Sequence, residues 1–456
     1  MNESIFKAYD IRGVYPGEIN EETAYAIGRA FAKFLKAKNV LVGEDARKSS
    51  PALKKELIRG IADEGANVIL AGKLTTPMFY FAVANKKQYD GGIMVTASHN
   101  PAKYNGFKLV YGDAMPIEPK EIIPFTKTQK HKNTKTKITK TDIADAYIKK
   151  VLSLANTKKI KPLKIVVDTG NGMAGLILPK LLACLPQLKT KILFSKVDMA
   201  FPNHEANPLK EDTLNVLKET VLKNKADLGI AYDGDADRIG FVDEKGNVIR
   251  ADFVFSAILP QIFKHKNTKT KKQKNTNTGT ILYDLRCSKI VPETVTALGG
   301  TSAMTRVGHA FIKKQLRDSG AIAAAEVSCH FYFKDFYGVE CSDLVMLYML
   351  LEMSETGKSA SQIIAPFKKY FQSGEINFEV REKDKKMSEL IKKYKDSASK
   401  FSEIDGIKID FKNKKSFYWF NARVSNTEPL LRLNVEASDK NLLEQKVAEL
   451  TKIIRS

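Results

Sequence analysis

Residues 92–101, Gly-Ile-Met-Val-Thr-Ala-Ser-His-Asn-Pro, decide the fold class of this chain. The stretch begins as an apolar strand and ends in a turn of small and polar residues, which presents the hydroxyl of Ser98. Together with the strands and helices that precede it, this stretch predicts a mostly parallel sheet covered by helices, with Ser98 beyond the carboxyl end of a strand. The preceding elements of the block are strands at 39–43 and 67–71 and helices at 50–64 and 77–85.

The same alternation returns twice farther along the chain. Each block ends a strand in a polar loop, and open α/β sheets bind ligands beyond the carboxyl ends of their strands. The tail differs, because three strands lie between two helices and predict a smaller α+β unit. The second block has strands at 164–168, 191–195 and 228–232, the third at 280–284, 302–306 and 322–325, and the tail at 406–411, 416–423 and 430–436.

The loop after residue 232 is Asp233-Gly-Asp235-Ala-Asp237-Arg238. Carboxylates at alternate positions of an extended segment point to one side, and they repel one another unless a cation lies among them. Hard oxygen donors suit Mg²⁺, which keeps room for a phosphate oxygen in its shell. An EF-hand Ca²⁺ loop is the rival interpretation, because Glu244 falls at its twelfth position, but Arg238 takes the sixth, where that turn needs glycine. A serine with a magnesium site is a set of parts for phosphoryl transfer through a phosphoserine.

The net charge of +22 invites a nucleic-acid interpretation, and the distribution of the charge speaks against it. Residues 127–140 and 264–274 each carry six lysines and no acidic residue, and without these lysines the net charge falls to +10. Both segments are nearly free of apolar residues and lack aromatic residues that could stack on bases. We therefore expect solvated insertions in connecting loops and no nucleic-acid partner.

Composition indicates an ordinary globular chain in the cytoplasm. The 43% hydrophobic residues suit normal cores, and the longest apolar run, 344–351, is too short to span a bilayer. The first residues show no signal-peptide pattern, and the four cysteines show no metal-ligand spacing. We expect a cytoplasmic protein with no membrane partner.

Seven motifs in order along the whole chain resemble those of the α-D-phosphohexomutase superfamily, and most closely those of phosphomannomutase/phosphoglucomutase enzymes. The resemblance implies a heart-shaped α/β architecture of four domains around one cleft: three related domains with mixed sheets and a C-terminal α+β domain. We expect their bounds at 1–143, 144–249, 250–366 and 367–456. The motifs are Tyr9-Asp-Ile-Arg-Gly13, 96–101, Tyr104-Asn-Gly-Phe-Lys108, 233–238, Gly308-His309, Glu326-x-Ser328-x-His330 and Arg423-x-Ser-Asn-Thr427.

The resemblance makes Ser98 the phosphoserine and a ligand of Mg²⁺, together with Asp233, Asp235 and Asp237. His99 follows Ser98 directly in the chain. Because neighbouring side chains do not usually face each other, we expect His99 to support the loop or the phosphate rather than to form a Ser–His dyad.

Further roles follow from the same resemblance. Arg12, Lys108 and Arg238 are expected to stabilise the charge that develops during transfer. Either Lys108 or His330 would handle the proton of the sugar hydroxyl, and the sequence leaves that choice open. The other residues expected to bind substrate are Tyr9, Arg286, His309, Glu326, Ser328, Arg423, Ser425, Asn426 and Thr427.

Some positions depart from the family pattern. The sugar-recognition loop of the family usually has glycine where this chain has Ala325 and Cys329, and positive φ at either position would be strained. Arg286 stands where a lysine is frequent, with the same charge and a different geometry. Lys313, four residues after His309, is a further candidate on the same helix face.

The sequence thus predicts an isomerase that interconverts hexose 1-phosphate and hexose 6-phosphate through a hexose 1,6-bisphosphate, which also primes the serine. Its partner is a small phosphosugar, and the protein is a monomer or a dimer. A phosphoglucosamine mutase is the nearest alternative, although that class tends to have glycine at the position of Asn426. A metal-dependent phosphatase typically needs histidine metal ligands, and none of the six histidines clusters with the aspartates.

Overall fold

The computed structural model of the protein describes residues 2–85, 88–127, 136–269, 279–425 and 430–456. Four β-sheets organise these residues, one after another along the chain.

The first sheet is mixed and has six strands in the order β1-β5-β4-β2-β3-β6. Its elements are β1 (Ile11–Val14), α1 (Glu21–Leu35), β2 (Asn39–Glu44), α2 (Ser50–Asp63), β3 (Asn67–Lys73), α3 (Thr76–Asn85), β4 (Gly91–Val95), β5 (Tyr104–Tyr111) and β6 (Ile138–Lys140). Strands β4, β2, β3 and β6 are parallel, and β5 runs antiparallel to β4 and β1. Asn20 caps α1 by accepting a hydrogen bond from Thr23 N at 2.9 Å, which fixes where the helix begins.

The second sheet repeats this plan with five strands in the order β11-β10-β9-β7-β8. Its elements are α4 (Ala144–Ser153), β7 (Lys164–Asp168), α5 (Ala174–Ala183), β8 (Lys189–Leu193), α6 (Asn215–Asn224), β9 (Leu228–Tyr232), β10 (Ile239–Asp243) and β11 (Val248–Ile249). Strands β8, β7 and β9 are parallel, whereas β10 folds back antiparallel to β9. The aspartate loop is the connection between β9 and β10.

The third sheet has the order β13-β12-β14-β15-β16. Its elements are α7 (Ala251–Lys269), β12 (Thr280–Asp284), α8 (Ile290–Ala297), β13 (Thr301–Thr305), α9 (His309–Ser319), β14 (Ala323–Ala325), β15 (Phe331–Phe333), β16 (Val339–Glu340), α10 (Ser342–Thr356) and α11 (Ala360–Ile364). Strands β13, β12 and β14 are parallel, and β15 is antiparallel to β14. The sugar-recognition motif connects β14 to β15.

The C-terminal unit carries the fourth sheet, which is antiparallel throughout and has the order β17-β21-β20-β19-β18. Its elements are β17 (Phe371–Glu379), α12 (Lys383–Tyr394), β18 (Lys400–Ser402), β19 (Ile407–Lys412), β20 (Phe417–Val424), β21 (Leu430–Ala437) and α13 (Lys440–Arg455). Asp439 caps α13 through a hydrogen bond from Leu442 N at 2.9 Å.

One apolar core joins the first three sheets, and the C-terminal unit has a core of its own. Helix α10 runs through the shared core, which is where the apolar run 344–351 is buried. Near its start, Asp343 accepts hydrogen bonds from Tyr147 at 2.6 Å and Tyr232 at 2.9 Å. The tyrosine at the end of β9 is thereby fixed immediately before the aspartate loop.

The predicted α/β fold class is confirmed, and strands 164–168, 228–232 and 280–284 have the predicted bounds. The expectation that both lysine-rich segments are loops is wrong in part. Residues 138–140 form β6 beside β3, and α7 continues through Lys269. Ile138 and Thr139 are β-branched and suit an edge strand. Residues 128–135 and 270–278 lie outside the described part of the chain.

Within the described ranges, none of the helices combines the length and the apolar character needed to cross a membrane.

Candidate active site

A cleft of about 620 Å³ lies where the loops after β4, β9, β12 and β14 meet the C-terminal unit. Three predicted site residues do not line the cleft but contact Ser98 or Lys108, which do: Asp233, Asp235 and His99. Two others, Asn426 and Thr427, lie outside the described residues. The predicted site residues that line the cleft are Tyr9, Arg12, Ser98, Lys108, Asp237, Arg238, Arg286, His309, Glu326, Ser328, His330, Arg423 and Ser425.

Ser98 follows β4 in a left-handed backbone conformation, with φ of 51°. Such a φ is uncommon for a residue with a side chain, and strain of this kind concentrates at functional sites. The Ser98 hydroxyl is buried and donates a hydrogen bond to Asp233 Oδ2 at 2.8 Å. The serine loop and the aspartate loop therefore meet at this contact.

The expectation that Ser98 and His99 do not face each other is wrong. His99 Nδ1 lies 3.2 Å from Ser98 Oγ, because the left-handed φ of Ser98 turns the two side chains toward each other. Burial lowers the pKa of His99 well below its usual value, and the charge of Arg238 lowers it further. The imidazole beside the serine is thus neutral at physiological pH.

Arg47 holds the serine loop in place. Its guanidinium is buried and donates to four carbonyl oxygens of the loop, those of Ser98 at 2.8 Å, Asn100 at 2.6 Å, Pro101 at 2.8 Å and Tyr104 at 3.0 Å. Asp45 neutralises the arginine at 3.1 Å. A planar fork with five donors can bind so many acceptors at once, and a lysine cannot.

The aspartate loop approaches the serine loop closely at Gly234. A Cβ at this position would lie 2.4 Å from the carbonyl oxygen of Ser98, so a side chain cannot be accommodated without movement of the backbone. Glycine between Asp233 and Asp235 is therefore required by the contact of the two loops.

Asp233, Asp235 and Asp237 are buried and offer carboxylate oxygens that lie within 4.8 Å of one another. Burial raises the pKa of Asp233 well above its usual value, and the charges of Asp237 and Asp235 add to the effect. Asp235 Oδ1 has no hydrogen-bond partner among the described residues, and Asp237 Oδ1 faces the imidazole of His330 at 3.4 Å. Buried carboxylates that repel and keep an unused oxygen fit a divalent cation with oxygen ligands, such as Mg²⁺.

The remaining oxygens of the cluster are bound by protein groups. Thr76 Oγ1 donates to Asp235 Oδ2 at 2.6 Å, and Lys108 Nζ contacts Asp237 at 2.5 Å and Asp235 at 3.2 Å. Burial opposes the charge of Lys108, but Asp235 and Asp237 outweigh it and raise the lysine pKa well above its usual value. Lys108 is therefore a fixed cation.

Two cationic groups stand together beside the aspartates. Burial would lower the pKa of His330, but the charge of Asp237 outweighs burial and raises the pKa to about 9. The imidazole Nε2 lies 3.4 Å from Asp237 Oδ1 and 3.3 Å from Arg238 Nε. A protonated His330 so close to an arginine makes this edge of the cleft attractive to an anion.

The first motif of the chain adds a third positive charge. Arg12 donates to Asp10 Oδ2 at 2.8 Å and to Asn100 Oδ1 at 2.7 Å, so it links the first strand to the serine loop. The other Asp10 oxygen lies 3.6 Å from His309 Nε2. Tyr9 donates to the carbonyl of Val307 at 3.1 Å. These contacts hold the first sheet against the start of α9.

Glu326 is fixed by hydrogen bonds from its surroundings. Its Oε1 accepts from Gly308 N at 3.0 Å, and its Oε2 accepts from the Tyr332 hydroxyl at 2.7 Å. Ser328 Oγ lies 3.1 Å from His330 Nδ1, which connects the sugar-recognition motif to the cationic edge. The carboxylate at the cleft wall thus has one defined orientation.

On the side of the C-terminal unit, three arginines surround one carboxylate. Glu375 accepts from Arg423 Nη2 at 2.9 Å and lies 3.6 Å from both Arg286 and Arg432. Ser425 is held by a hydrogen bond from its own N–H to Leu430 O at 2.8 Å. The excess of guanidinium groups suits a phosphate, which arginine binds in a two-point fork.

The departures from the family pattern have different outcomes. Ala325 lies in β14 with ordinary extended backbone, so the concern about strain is wrong there. Cys329 has φ of 68°, so the backbone is strained at this position, as expected for a residue other than glycine with positive φ. Lys313 does not line the cleft. It is buried with Nζ 2.7 Å from Glu340 Oε2, because an ion pair compensates its charge inside the protein.

Sequence reasoning missed several residues of the site. Asp10 lies within a quoted motif, so its position in that motif is a signal that could have found it. Thr76, Arg47, Glu375 and Arg432 carry no such signal, because each reaches the site from an element distant in sequence.

The comparisons with known proteins agree with this architecture. Family models match four consecutive segments of the chain: those described as phosphoglucomutase/phosphomannomutase alpha/beta/alpha domains I, II and III match residues 3–133, 145–246 and 257–370, and that described as the C-terminal domain matches 375–453. The fold and the cleft define an isomerase of the phosphohexomutase class. The chain belongs to the phosphoglucomutase/phosphomannomutase family.

Individual relatives resemble the chain over nearly its whole length. The phosphomannomutase of Methanocaldococcus jannaschii is 40% identical and covers 99% of this chain and 97% of its own. The phosphomannomutase/phosphoglucomutase of Pseudomonas putida is 35% identical, covering 100% of this chain and 96% of its own. A crystal structure of a phosphoglucomutase/phosphomannomutase family protein from Burkholderia thailandensis superposes with a TM-score of 0.86 at 29% identity, covering 100% of this chain and 98% of that one.

Proposed function

We propose that this enzyme interconverts hexose 1-phosphate and hexose 6-phosphate, with glucose and mannose as its sugars. The observation that carries the proposal is the contact of the Ser98 hydroxyl with a buried carboxylate cluster at one cleft. The same cleft is lined by the arginine cluster, which consists of Arg286, Arg423 and Arg432. The serine with its carboxylate cluster suits the reacting phosphate, and the arginine cluster suits the phosphate that does not react.

In the proposed reaction Ser98 carries a phosphoryl group. The bond between Ser98 Oγ and phosphorus breaks as phosphorus bonds to the free hydroxyl of a hexose monophosphate, and the hydroxyl proton passes to His330. The resulting hexose 1,6-bisphosphate turns end for end and returns its other phosphoryl group to Ser98. A hexose 1,6-bisphosphate also primes the unphosphorylated serine.

Arg12, Lys108 and Arg238 stabilise the charge on the transferring group. Because Lys108 is held as a cation by two aspartates, it serves as a fixed charge. His330 is then the group that exchanges the hydroxyl proton: because Asp237 raises its pKa to about 9, it accepts the proton only in the fraction of molecules in which its imidazole is neutral.

Asp233, Asp235 and Asp237, with phosphorylated Ser98, are proposed to hold Mg²⁺. When bound, the metal neutralises charge on the phosphoryl oxygens. The buried Oδ1 of Asp235, which has no hydrogen-bond partner among the described residues, supports this role.

The other candidates are assigned to the sugar, to the phosphoserine and to the second phosphate of the substrate. We assign the sugar hydroxyls to Tyr9, His309, Glu326 and Ser328, and support of the phosphoserine to His99. The second phosphate is assigned to Arg286, Arg423, Ser425, Asn426 and Thr427.

A coupled assay with the 1-phosphates of glucose, mannose and glucosamine tests the proposal. We expect turnover of the first two after priming with glucose 1,6-bisphosphate, and phosphate on Ser98 by peptide mass spectrometry. Preferred turnover of glucosamine 1-phosphate would instead identify a phosphoglucosamine mutase. Full activity in Ser98→Ala would overturn the phosphoserine mechanism.

We also propose the domain bounds of the chain and its cytoplasmic location. The domain bounds 1–143, 144–249, 250–366 and 367–456 place each sheet in its own domain. A cytoplasmic location is supported by four cysteines that are free thiols in the structure.

A further inference from the structure

Glu375 is an anion inside a cluster that suits another anion. Its carboxylate contacts Arg423 directly and approaches Arg286 and Arg432, while its side chain is 27% exposed. Burial would raise the pKa of Glu375, but the charges of Arg286 and Arg423 outweigh it and lower the pKa. Glu375 is therefore ionised at neutral pH and occupies donors that a phosphate would use.

A β-bulge directs Glu375 into the cleft. The pairing of β17 with β21 shifts register between Gln372 and Glu375, and Gly374 has φ of 69°. Ser373 Oγ accepts a hydrogen bond from Val435 N at 2.9 Å, which ties the bulge to β21. Because bulges re-aim side chains, the backbone and not a flexible surface rotamer sets the position of this carboxylate.

The charges of the cluster leave room for a phosphate. Three guanidinium groups and one carboxylate carry a net charge of about +2, which matches a phosphate dianion. Arg423 Nε is buried and has no hydrogen-bond partner among the described residues, so donor capacity remains. Arg423 Nη2 nevertheless takes part in either two-point fork that the guanidinium can offer, and Glu375 occupies one of its two N–H groups. A phosphate must displace the carboxylate from this donor or accept its repulsion.

We propose that Glu375 is a displaceable anion, which competes with the non-reacting phosphate of the substrate and limits how tightly the arginine cluster holds it. This inference rests on the proposed function. The bisphosphate must release this phosphate and turn around in every cycle, so uniform tight binding would lower KM without raising kcat. Glu375 is a positioning residue that keeps the phosphate exchangeable.

Isothermal titration of the full-length protein with inorganic phosphate tests the inference. Glu375→Gln is expected to bind phosphate about tenfold more tightly than wild type at low salt, with a smaller gain at high salt. In turnover, KM and kcat should both fall, because product leaves more slowly. Glu444→Gln, on α13 of the same unit with its side chain 63% exposed, removes the same charge and should change neither quantity.

Phosphate binding by folded Glu375→Gln that equals or falls below that of wild type would overturn the inference. If that variant fails to fold, Glu375→Asp replaces it: it keeps the charge and withdraws it by one methylene, and about threefold tighter phosphate binding is expected. Affinity of Glu375→Asp equal to wild type would equally overturn it. Phosphate binding needs no turnover, so a protein without mutase activity that shows the gain refutes the proposed function and still supports the competition.

Discussion

Ser98 Oγ and Asp233 Oδ2 are 2.8 Å apart, so the proposed phosphoserine already touches the proposed metal site. Without a metal, Asp233 is buried and faces the charges of Asp237 and Asp235, which raise its pKa further. Activity is expected to vanish with a chelator and to return with Mg²⁺. Addition of Mg²⁺ at about 100 times its Kd should also raise the free energy of unfolding by about 2.7 kcal/mol.

Asp233→Asn separates stability from activity at this site. The amide keeps the shape of the side chain and removes one of the repelling charges, so the metal-free variant should be at least as stable as metal-free wild type. Activity should fall by at least about a hundredfold, since a metal ligand and its charge are lost. Urea unfolding with and without Mg²⁺ measures the stability, and the coupled assay measures the activity. An active variant, or a chelator-resistant wild type, would mean that the loop holds no metal.

Arg47→Lys tests whether the serine loop depends on its buried guanidinium. A lysine cannot supply the four carbonyl hydrogen bonds that Arg47 makes, so buried acceptors lose their donors. We expect a loss of about 2–4 kcal/mol in the free energy of unfolding and a fall in kcat of about tenfold or more. The control, Arg59→Lys, lies on an exposed helix face with its side chain 60% exposed and should change stability by less than about 0.5 kcal/mol. Equal effects of the two substitutions would contradict the assignment.

The strain at Cys329 predicts an unusual order of stabilities. At most positions alanine is more stabilising than glycine, because glycine loses more backbone entropy on folding. Cys329 has φ of 68°, where a Cβ is unfavourable, so Cys329→Gly should be more stable than Cys329→Ala by about 1 kcal/mol. Ala325 lies in β14, and Ala325→Gly should lose about 0.5–1 kcal/mol. Chemical denaturation of the three variants measures these differences, and alanine above glycine at position 329 would show that the loop is not strained.

The sequence predicted the parallel strands well, because apolar runs of about five residues bounded by turn residues are too short for buried helices. The sequence did not assign β5, β10 and β15 as antiparallel partners of the strands that lead into the site loops, although the resemblance implied mixed sheets, since a site loop and a hairpin turn use the same small and polar residues. The candidate residues within contiguous motifs were found because each motif is a short run of neighbouring residues. Arg47 and Glu375 were not, because their roles arise only when chain segments far apart in sequence meet.

The pair formed by His204 and Asp168 predicts a pH dependence of stability. His204 Nε2 lies 3.1 Å from Asp168 Oδ2, at the end of β7. Burial lowers the pKa of His204, but the hydrogen bond to Asp168 and the aspartate charge outweigh it and raise the pKa. A raised folded-state pKa gives stability that is fully present below about pH 6.5, the unfolded value, and is lost as pH rises through the folded value.

Urea unfolding at about pH 5.5 and about pH 9 measures this effect. Wild type should be more stable than His204→Asn at the lower pH, and the difference should shrink at the higher pH. In an Asp168→Asn background that difference should no longer shrink as pH rises, because burial, which lowers the pKa of His204, is then opposed only by the hydrogen bond to the Glu205 carbonyl. A difference that is independent of pH in the wild-type background would show that the pair is not charged.

The fixed position of Glu326 predicts which hexose phosphates turn over. The resemblance of Glu326-x-Ser328 to the sugar-recognition motif of the family implies that this pair contacts hydroxyls O3 and O4, which glucose and mannose share. Hydrogen bonds from Gly308 N and the Tyr332 hydroxyl fix the orientation of Glu326, so its carboxylate cannot follow a displaced hydroxyl. Galactose inverts C4 and would leave a polar partner unpaired, a loss of about 1–3 kcal/mol, or roughly tenfold to a hundredfold in kcat/KM.

We therefore expect glucose 1-phosphate and mannose 1-phosphate to turn over within about tenfold of each other, and galactose 1-phosphate to be a poor substrate. Glu326→Gln should lower kcat/KM for both good substrates in parallel, because neither differs from the other where Glu326 makes contact. Steady-state kinetics on the three sugars measures this. If the substitution affected one good substrate alone, or if galactose 1-phosphate turned over equally well, another residue would select the sugar, and the strained loop at Cys329 would be the first place to look for it, since its backbone leads directly into His330 at the cleft wall.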